Sequence, residues 1–93
     1  MSYEEKISEL RDEINGLNAE IVEKLAQRVM VAKAIGEVKK RHGMPIVDAA
    51  RERRVLEQIK ELSAARGLDA SGAGRVFREI INLCTEAQLE GSR

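Results

Sequence analysis

The feature that most constrains the fold is an uninterrupted helical pattern that runs from Ser2 to about Arg41. This stretch contains no proline, and Gly16 and Gly36 are its only glycines. A helix rising ~1.5 Å per residue would be roughly 57–60 Å long here, whereas a compact chain of this length is only roughly 32 Å across. Such a helix extends beyond the body that one chain can form. We therefore expect a second copy of the chain to cover the overhang.

Composition points to one soluble helical domain spanning residues 1–93. Hydrophobic residues make up 43% of the chain and charged residues 34%, while Tyr3 and Phe77 are too few aromatics for a base-stacking platform. The 16 acidic and 16 basic residues cancel, which argues against a general nucleic-acid or membrane-surface binder. The sequence therefore leaves room for a local basic pocket but not for a basic surface.

Three features favour a cytoplasmic location. Cys84 is the only cysteine, so no disulfide can form within the chain. The N-terminus is polar and lacks the apolar segment of a signal peptide. No apolar run approaches the ~20 residues that a membrane-spanning helix needs.

Capping and breaking signals divide the chain into three helices, an all-α fold. The first, over about 3–41, starts with the capping-box spacing of Ser2 and Glu5 and ends at the glycine and proline within 42–45. Asp48 is a suitable N-cap for the second helix, over about 49–66. The third is predicted over about 70–90.

An apolar stripe follows the whole first helix, as a helix with partners at both ends requires. Its members recur at helical spacing: Ile7, Leu10, Ile14, Leu17, Ile21, Leu25, Val29, Ala32 and Ile35. Every seventh residue from Ile7 is isoleucine except Arg28, and a buried charge is costly unless it is paired or bound to a ligand. Lys39 shares the face of Arg28, ~16 Å further along the axis. These two cations are placed to grip one small anion.

Other polar residues border the same apolar surfaces. Asp48, Arg51 and Glu52 head the apolar face of the second helix, and Gln88 ends that of the third. Arg11 borders the first stripe but lies ~25 Å from Arg28, so it can join the same site only from a partner subunit.

The residues alone leave structural alternatives open. Arg28 and Glu52 can form a buried ion pair, and capping the second helix can be the whole role of Asp48. Gln88 can be a surface residue near a fraying end.

These residues and the segments around them resemble the all-helical class of chorismate mutase, over nearly the whole chain. The resemblance rests on the order and spacing of six segments, with Gln88 beyond the last: Leu10–Ile14, Leu25–Arg28, Gly36–Lys39, Pro45–Glu52, Gly67–Asp69 and Phe77–Ile81. It implies an intertwined homodimer of three-helix protomers. The implied activity is an isomerase that converts chorismate to prephenate by a Claisen rearrangement, a step of the shikimate pathway towards phenylalanine and tyrosine.

The resemblance also implies a role for each polar residue. Arg28 and the partner's Arg11 bind the two carboxylates of chorismate, and Lys39 and Gln88 hydrogen-bond the ether oxygen as its bond breaks. Arg28, Lys39 and Gln88 are thus the candidate catalytic residues. Four further candidates contact substrate: Glu52 and the region of Asp48 at the ring hydroxyl, Arg51 in the polar wall, and Cys84 at a ring carboxylate.

A unimolecular pericyclic reaction needs no nucleophile, metal or cofactor, and we expect none. What accelerates it is confinement of a flexible dianion and stabilisation of developing charge on the ether oxygen. Because the sequence shows no appended dehydratase, dehydrogenase or regulatory domain, we expect a monofunctional enzyme.

Two alternatives remain at this point. One is isochorismate–pyruvate lyase, which shares the fold; Asp48 and Glu52 beside Arg51 favour the mutase. The other is a non-catalytic helical dimerisation module, which explains the long stripe but leaves Arg28 within it unexplained.

Overall fold

The structure, a computed structural model, describes residues 2–91 as three helices: α1 (Tyr3–Arg41), α2 (Ala49–Ala65) and α3 (Ala70–Gly91). The predicted all-α fold class is confirmed. The predicted helix bounds differ from these by at most one residue. None of the described helices is long and apolar enough to cross a membrane.

Side-chain caps start the helices where the sequence predicts them. Ser2 accepts a hydrogen bond from the amide of Glu5 at 3.1 Å, and Asp48 accepts one from the amide of Arg51 at 3.0 Å. Asp69 caps the first turn of α3 in the same way, at 3.1 Å. Each cap satisfies an amide that has no partner within its helix, so the three starts are determined locally.

Glycines in the left-handed conformation follow the first two helices. Gly43 has φ of 65° after α1, and Gly67 has φ of 73° after α2. A side chain with Cβ is strained at such angles, which is why glycine occupies the positions where these two helices end.

The third helix lies between the other two and contacts both, whereas α1 and α2 do not approach each other closely. The core of the single chain is small. Its buried hydrophobic side chains are Ala32, Ile81 and Cys84, joined by the polar Ser63, and no described side chain is fully buried. The centre of the packing therefore lies where the second half of α1 meets α3.

The chain is elongated and exposes more surface than a compact protein of its size. Its extents are 61 × 26 × 14 Å and its radius of gyration is 17.3 Å, against about 12 Å for a compact chain. The accessible surface is 7358 Å², whereas a compact monomer of this mass exposes about 5,400 Å². All residues from 8 to 24 are exposed, so this chain leaves most of the stripe on α1 uncovered.

Candidate active site

A cleft of about 400 Å³ lies between the second half of α1, the start of α2 and the end of α3. Seven of the eight predicted site residues line it: Arg28, Lys39, Asp48, Arg51, Glu52, Cys84 and Gln88. They come from all three helices and from the residue before α2. The structure thus brings together side chains that are up to 60 positions apart in the sequence.

The cleft also has apolar walls that the sequence reading did not assign to the site. They are formed by Val31, Ala32, Ile35, Ile46, Val55 and Ile81, with Thr85 beside them. A signal for some of them was present, because positions 28, 32, 35 and 39 share one face of a helix, as do 81, 85 and 88. Apolar walls exclude water and strengthen the electrostatic interactions of the charges between them.

Arg28 is half-buried and donates a hydrogen bond from Nη1 to Sγ of Cys84 at 2.9 Å. No carboxylate in the described part of the chain forms an ion pair with it. The alternative of a buried ion pair between Arg28 and Glu52 is therefore wrong. The sulfur is a weak acceptor, so Arg28 keeps most of its capacity to bind an anion.

Lys39 joins the end of α1 to the loop that leads into α2. Its Nζ donates a hydrogen bond to the carbonyl oxygen of Ile46 at 2.9 Å, while its own carbonyl accepts one from the amide of Met44 at 2.8 Å. An ammonium group has three protons to donate. Lys39 is therefore held in place by the loop and still has donors for a ligand.

Glu52 is paired from outside the cleft. Its Oε1 lies 2.6 Å from Nη1 of Arg78, the only ion pair among the described residues. Arg78, which does not line the cleft, was missed by the sequence reading. Its spacing from Ile81 and Thr85 placed it on the same face of α3, but nothing in the pattern indicated a partner on α2.

Asp48 forms the corner where α2 begins. The hydrogen bond from the backbone amide of Arg51 has the largest effect on this carboxyl group and lowers its pKa. Desolvation opposes that effect, and the charges of Lys39 and Arg54 add to the lowering. The net result is a pKa below the ordinary value. The capping role is confirmed, and the carboxylate also faces the cleft.

Gln88 lies in close contact with Gly36 of α1. A Cβ placed on Gly36 would be 3.0 Å from Cγ of Gln88 and 3.5 Å from its Cα. The glycine is buried and Gln88 half-buried, so Gln88 is not a surface residue at a fraying end. The absence of a side chain at position 36 lets α3 approach α1 at the point where the amide reaches the cleft.

Arg11 is the one predicted site residue that the structure does not bring to the cleft. It is exposed on α1, ~25 Å along the axis from Arg28. Its neighbours there are residues of the first turns of α1, Tyr3, Ile7 and Asp12 among them.

The charges around the cleft are unbalanced. Arg28, Lys39 and Arg51 line it without an ion-pair partner in the described part of the chain. Of the two acidic residues, Glu52 is already paired with Arg78. In a cleft with apolar walls an excess of positive charge attracts small anions. The fold and the cleft together therefore define an all-helical protein with a cleft in which positive charge is in excess.

Known proteins place this arrangement in a family. A family model described as chorismate mutase type II matches residues 10–89. The chorismate mutase of Methanocaldococcus jannaschii is 30% identical over 77 residues, covering 83% of this chain and 78% of that protein. A solved structure, described as a conserved hypothetical protein from Pyrococcus furiosus, superposes with a TM-score of 0.72 and 30% identity, covering 95% of this chain and 99% of that one. The chain belongs to the chorismate mutase type II family.

A further relative is much longer. The bifunctional chorismate mutase/prephenate dehydratase of Aquifex aeolicus is 35% identical over 83 residues, but these cover 86% of this chain and only 23% of that protein. The similarity therefore concerns a chorismate mutase domain. The family and the all-helical fold predicted from the sequence are confirmed.

Proposed function

We propose that this chain converts chorismate to prephenate within the cleft between its three helices. One observation carries the proposal: three cations line the cleft without an ion-pair partner, while Glu52, one of the two acidic residues beside them, is paired from outside. Such a site suits a small dianion with a hydroxyl group. The cytoplasmic location remains a prediction from the sequence.

The mechanism follows from what the rearrangement requires. Chorismate must fold into a compact chair, and negative charge develops on the ether oxygen as its bond breaks. Holding the two reacting ends together removes the entropy cost of reaching that geometry. Fixed donors at the ether oxygen stabilise the transition state more than the ground state.

Each side chain then has a role consistent with its position. Arg28 binds a carboxylate, and Lys39 and Gln88 donate hydrogen bonds to the ether oxygen. Glu52 accepts a hydrogen bond from the ring hydroxyl, near the corner formed by Asp48. Two further residues complete the wall of the cleft: Arg51 with its charge and Cys84 through its contact with Arg28.

The proposed active form is a homodimer in which Arg11 of one chain completes the cleft of the other. The single chain exposes roughly 2,000 Å² more than a compact monomer would, which is in the range that obligate dimers bury. The exposed part of α1 carries both the apolar stripe and Arg11. A second copy laid along that stripe would cover it and bring a second guanidinium to the substrate.

The activity is tested by mixing the purified protein with chorismate, following its ultraviolet absorbance and identifying the product. Prephenate formed well above the uncatalysed rate supports the proposal. Isochorismate, offered in parallel, tests the lyase alternative. No acceleration of the chorismate reaction by a folded, dimeric protein would overturn the proposed function, and conversion of isochorismate alone would favour the lyase.

Arg28→Ala tests the anion site. We expect kcat/KM to fall by roughly 10²-fold or more, since a preorganised donor to developing or bound charge is lost, while the protein stays folded. Arg53→Ala removes an exposed arginine of α2 that does not line the cleft, and it should leave activity unchanged. A pure dimerisation module would show no difference between the two variants.

The shared site is tested by mixing Arg11→Ala with Arg28→Ala. Each variant alone should be nearly inactive. Unfolding the two together and refolding the mixture produces heterodimers in which one site has both arginines and the other has neither. Random pairing should restore about a quarter of the wild-type activity, because half of the dimers are mixed. No recovery would show that the two arginines do not act across the subunits, and full activity of Arg11→Ala alone would show that Arg11 has no role.

A further inference from the structure

We infer that Arg78 is a positioning residue, which holds Glu52 away from the anion-binding cations of the cleft. The inference rests on the proposed function and goes beyond it, because Arg78 does not line the cleft and its side chain hydrogen-bonds to one residue that does, Glu52.

The carboxylate of Glu52 can compete with substrate for the cations of the cleft. A carboxylate inside an anion-binding cleft is itself a ligand for the cations that should bind substrate. Glu52 lines the same cleft as Arg28, Lys39 and Arg51, and its side chain is only 22% exposed. A carboxylate with so little exposure to water is costly unless it pairs with a cation. Without one outside the cleft, it would turn towards the cations within.

The guanidinium of Arg78 comes from α3 and meets Glu52 of α2 at 2.6 Å, the short distance of a charge-assisted hydrogen bond. The contact engages only one oxygen of Glu52, Oε1. The other oxygen stays available to accept a hydrogen bond from the hydroxyl group of the substrate. Arg78 thus pairs with the negative charge of Glu52 and leaves its second carboxylate oxygen free to bind substrate.

Arg78 itself is not placed to bind substrate. Its side chain is 41% exposed and does not line the cleft, so it is not a substrate ligand. Its effect must pass through Glu52. Removing it should therefore weaken binding of the dianion while leaving the donors at the ether oxygen in place.

Arg78→Gln tests this inference. We expect KM for chorismate to rise about fivefold, a moderate loss because the pair is partly exposed, with kcat changed less than about twofold. Arg78→Lys keeps the charge and should recover most of the affinity. Arg75→Gln is the matched control: it removes the same charge one turn earlier on α3, where the side chain hydrogen-bonds to Ser71 and does not line the cleft. It should leave KM unchanged.

A double-mutant cycle separates positioning from a merely structural role. Glu52→Gln abolishes the charge that competes for the cations, so adding Arg78→Gln to it should have no further effect on KM. An unchanged KM in Arg78→Gln, or an equal effect of that substitution in both backgrounds, would overturn the inference.

Succinate, a simple dianion, supplies a readout that does not depend on turnover. Binding is followed by nuclear magnetic resonance titration of the four proteins of the cycle: the wild type, Arg78→Gln, Glu52→Gln and the double variant. We expect Arg78→Gln to weaken succinate binding about fivefold in the wild-type background and not at all in the Glu52→Gln background. A wild-type protein that binds succinate in this pattern but does not convert chorismate would refute the proposed function and leave the role of Arg78 standing. A wild-type protein that converts chorismate, with succinate binding that does not follow this pattern in the variants, would refute the role of Arg78 alone.

Discussion

The two halves of α1 carry the same apolar pattern but lie in different surroundings. In the second half, over 25–41, Ala32 and Gly36 are buried and Arg28 and Lys39 are half-buried against the rest of the chain. In the first half every residue from 8 to 24 is exposed, including Leu17 at 56%. One half is covered by α3, and the other is not covered by this chain at all.

The difference shows that an amphipathic pattern specifies a buried face but not what buries it. Burying apolar surface is favourable by roughly 25 cal/mol per Å² whichever chain supplies the cover. Covering the apolar face of the first half is therefore as favourable as covering that of the second half, and the proposed second copy of the chain would cover it. Four predictions test this contrast.

The largest expected effect is that of Leu17→Asp in the exposed half. If a second chain covers Leu17, a carboxylate introduced there loses hydration without gaining a partner. We expect the dimer to dissociate and the free energy of unfolding to fall by at least about 3 kcal/mol. Sedimentation and denaturant unfolding measure both effects.

Ala19→Asp is the control for that substitution. Position 19 lies on the opposite side of α1 from Leu17, two residues or 200° away, and it is exposed in the chain. It should change stability little. Equal behaviour of the two variants would mean that the first half of α1 has no partner on its apolar face.

The next effect concerns the covered half, where α3 brings Gln88 to the cleft. In Gln88→Glu the side chain can donate a hydrogen bond only when protonated. We expect activity at neutral pH to fall by roughly 10²-fold and to rise as the pH falls towards the ordinary glutamic acid pKa of about 4.3. The pH profile of kcat/KM measures this. Gln58→Glu, on an exposed face of α2, should keep the wild-type profile, and the same profile for Gln88→Glu would exclude a donor role.

The two glycines of α1 compare its halves directly. An added Cβ at Gly36 meets Gln88 at 3.0 Å, whereas one at Gly16 meets nothing within 4 Å. Gly36→Ala should displace the amide of Gln88 and lower kcat by roughly threefold to tenfold. Gly16→Ala should leave kcat unchanged and stabilise the protein by about 0.5–1 kcal/mol, through helix propensity.

Steady-state kinetics and thermal unfolding distinguish these outcomes. Loss of stability in Gly16→Ala would indicate that the partner chain approaches this side of α1 as well. Unaltered kcat in Gly36→Ala would mean that the site tolerates displacement of Gln88.

The smallest effect is a pH dependence at the corner of the cleft. The pKa of Asp48 is lowered in the folded protein, chiefly by the amide of Arg51. The contribution of this carboxylate to stability is therefore present above the unfolded pKa and is lost as the pH falls through the folded pKa. Asp48→Asn keeps a capping oxygen but cannot titrate. Melting temperatures between pH 2 and 6 should fall less steeply in this variant than in the wild type.

Much of the fold was predictable because its determinants are local. Ser2, Asp48 and Asp69 cap amides within three residues, and Gly43 and Gly67 end helices through their own backbone angles. Propensity, caps and breakers act over a few residues, so helix bounds could be read to within about one residue.

The site was predictable in part and for a different reason. Arg28 stood out as a charge in an apolar line, and Lys39 shares its face of the helix. The roles of the other cleft residues came from the resemblance, so the residues that would meet could be named without their contacts. Arg78 could not be found, because its partner Glu52 lies on another helix and nothing in the spacing within α3 indicates it.

The sequence by itself determined three helices, the apolar stripe of α1 and the family, since these depend on the order of residue types along the chain. Only the tertiary structure decided which charges are paired. It joined Glu52 to Arg78, left Arg28 with Cys84, and set Gln88 against Gly36. Such contacts depend on distances of a few ångströms between helices, which local propensities do not encode.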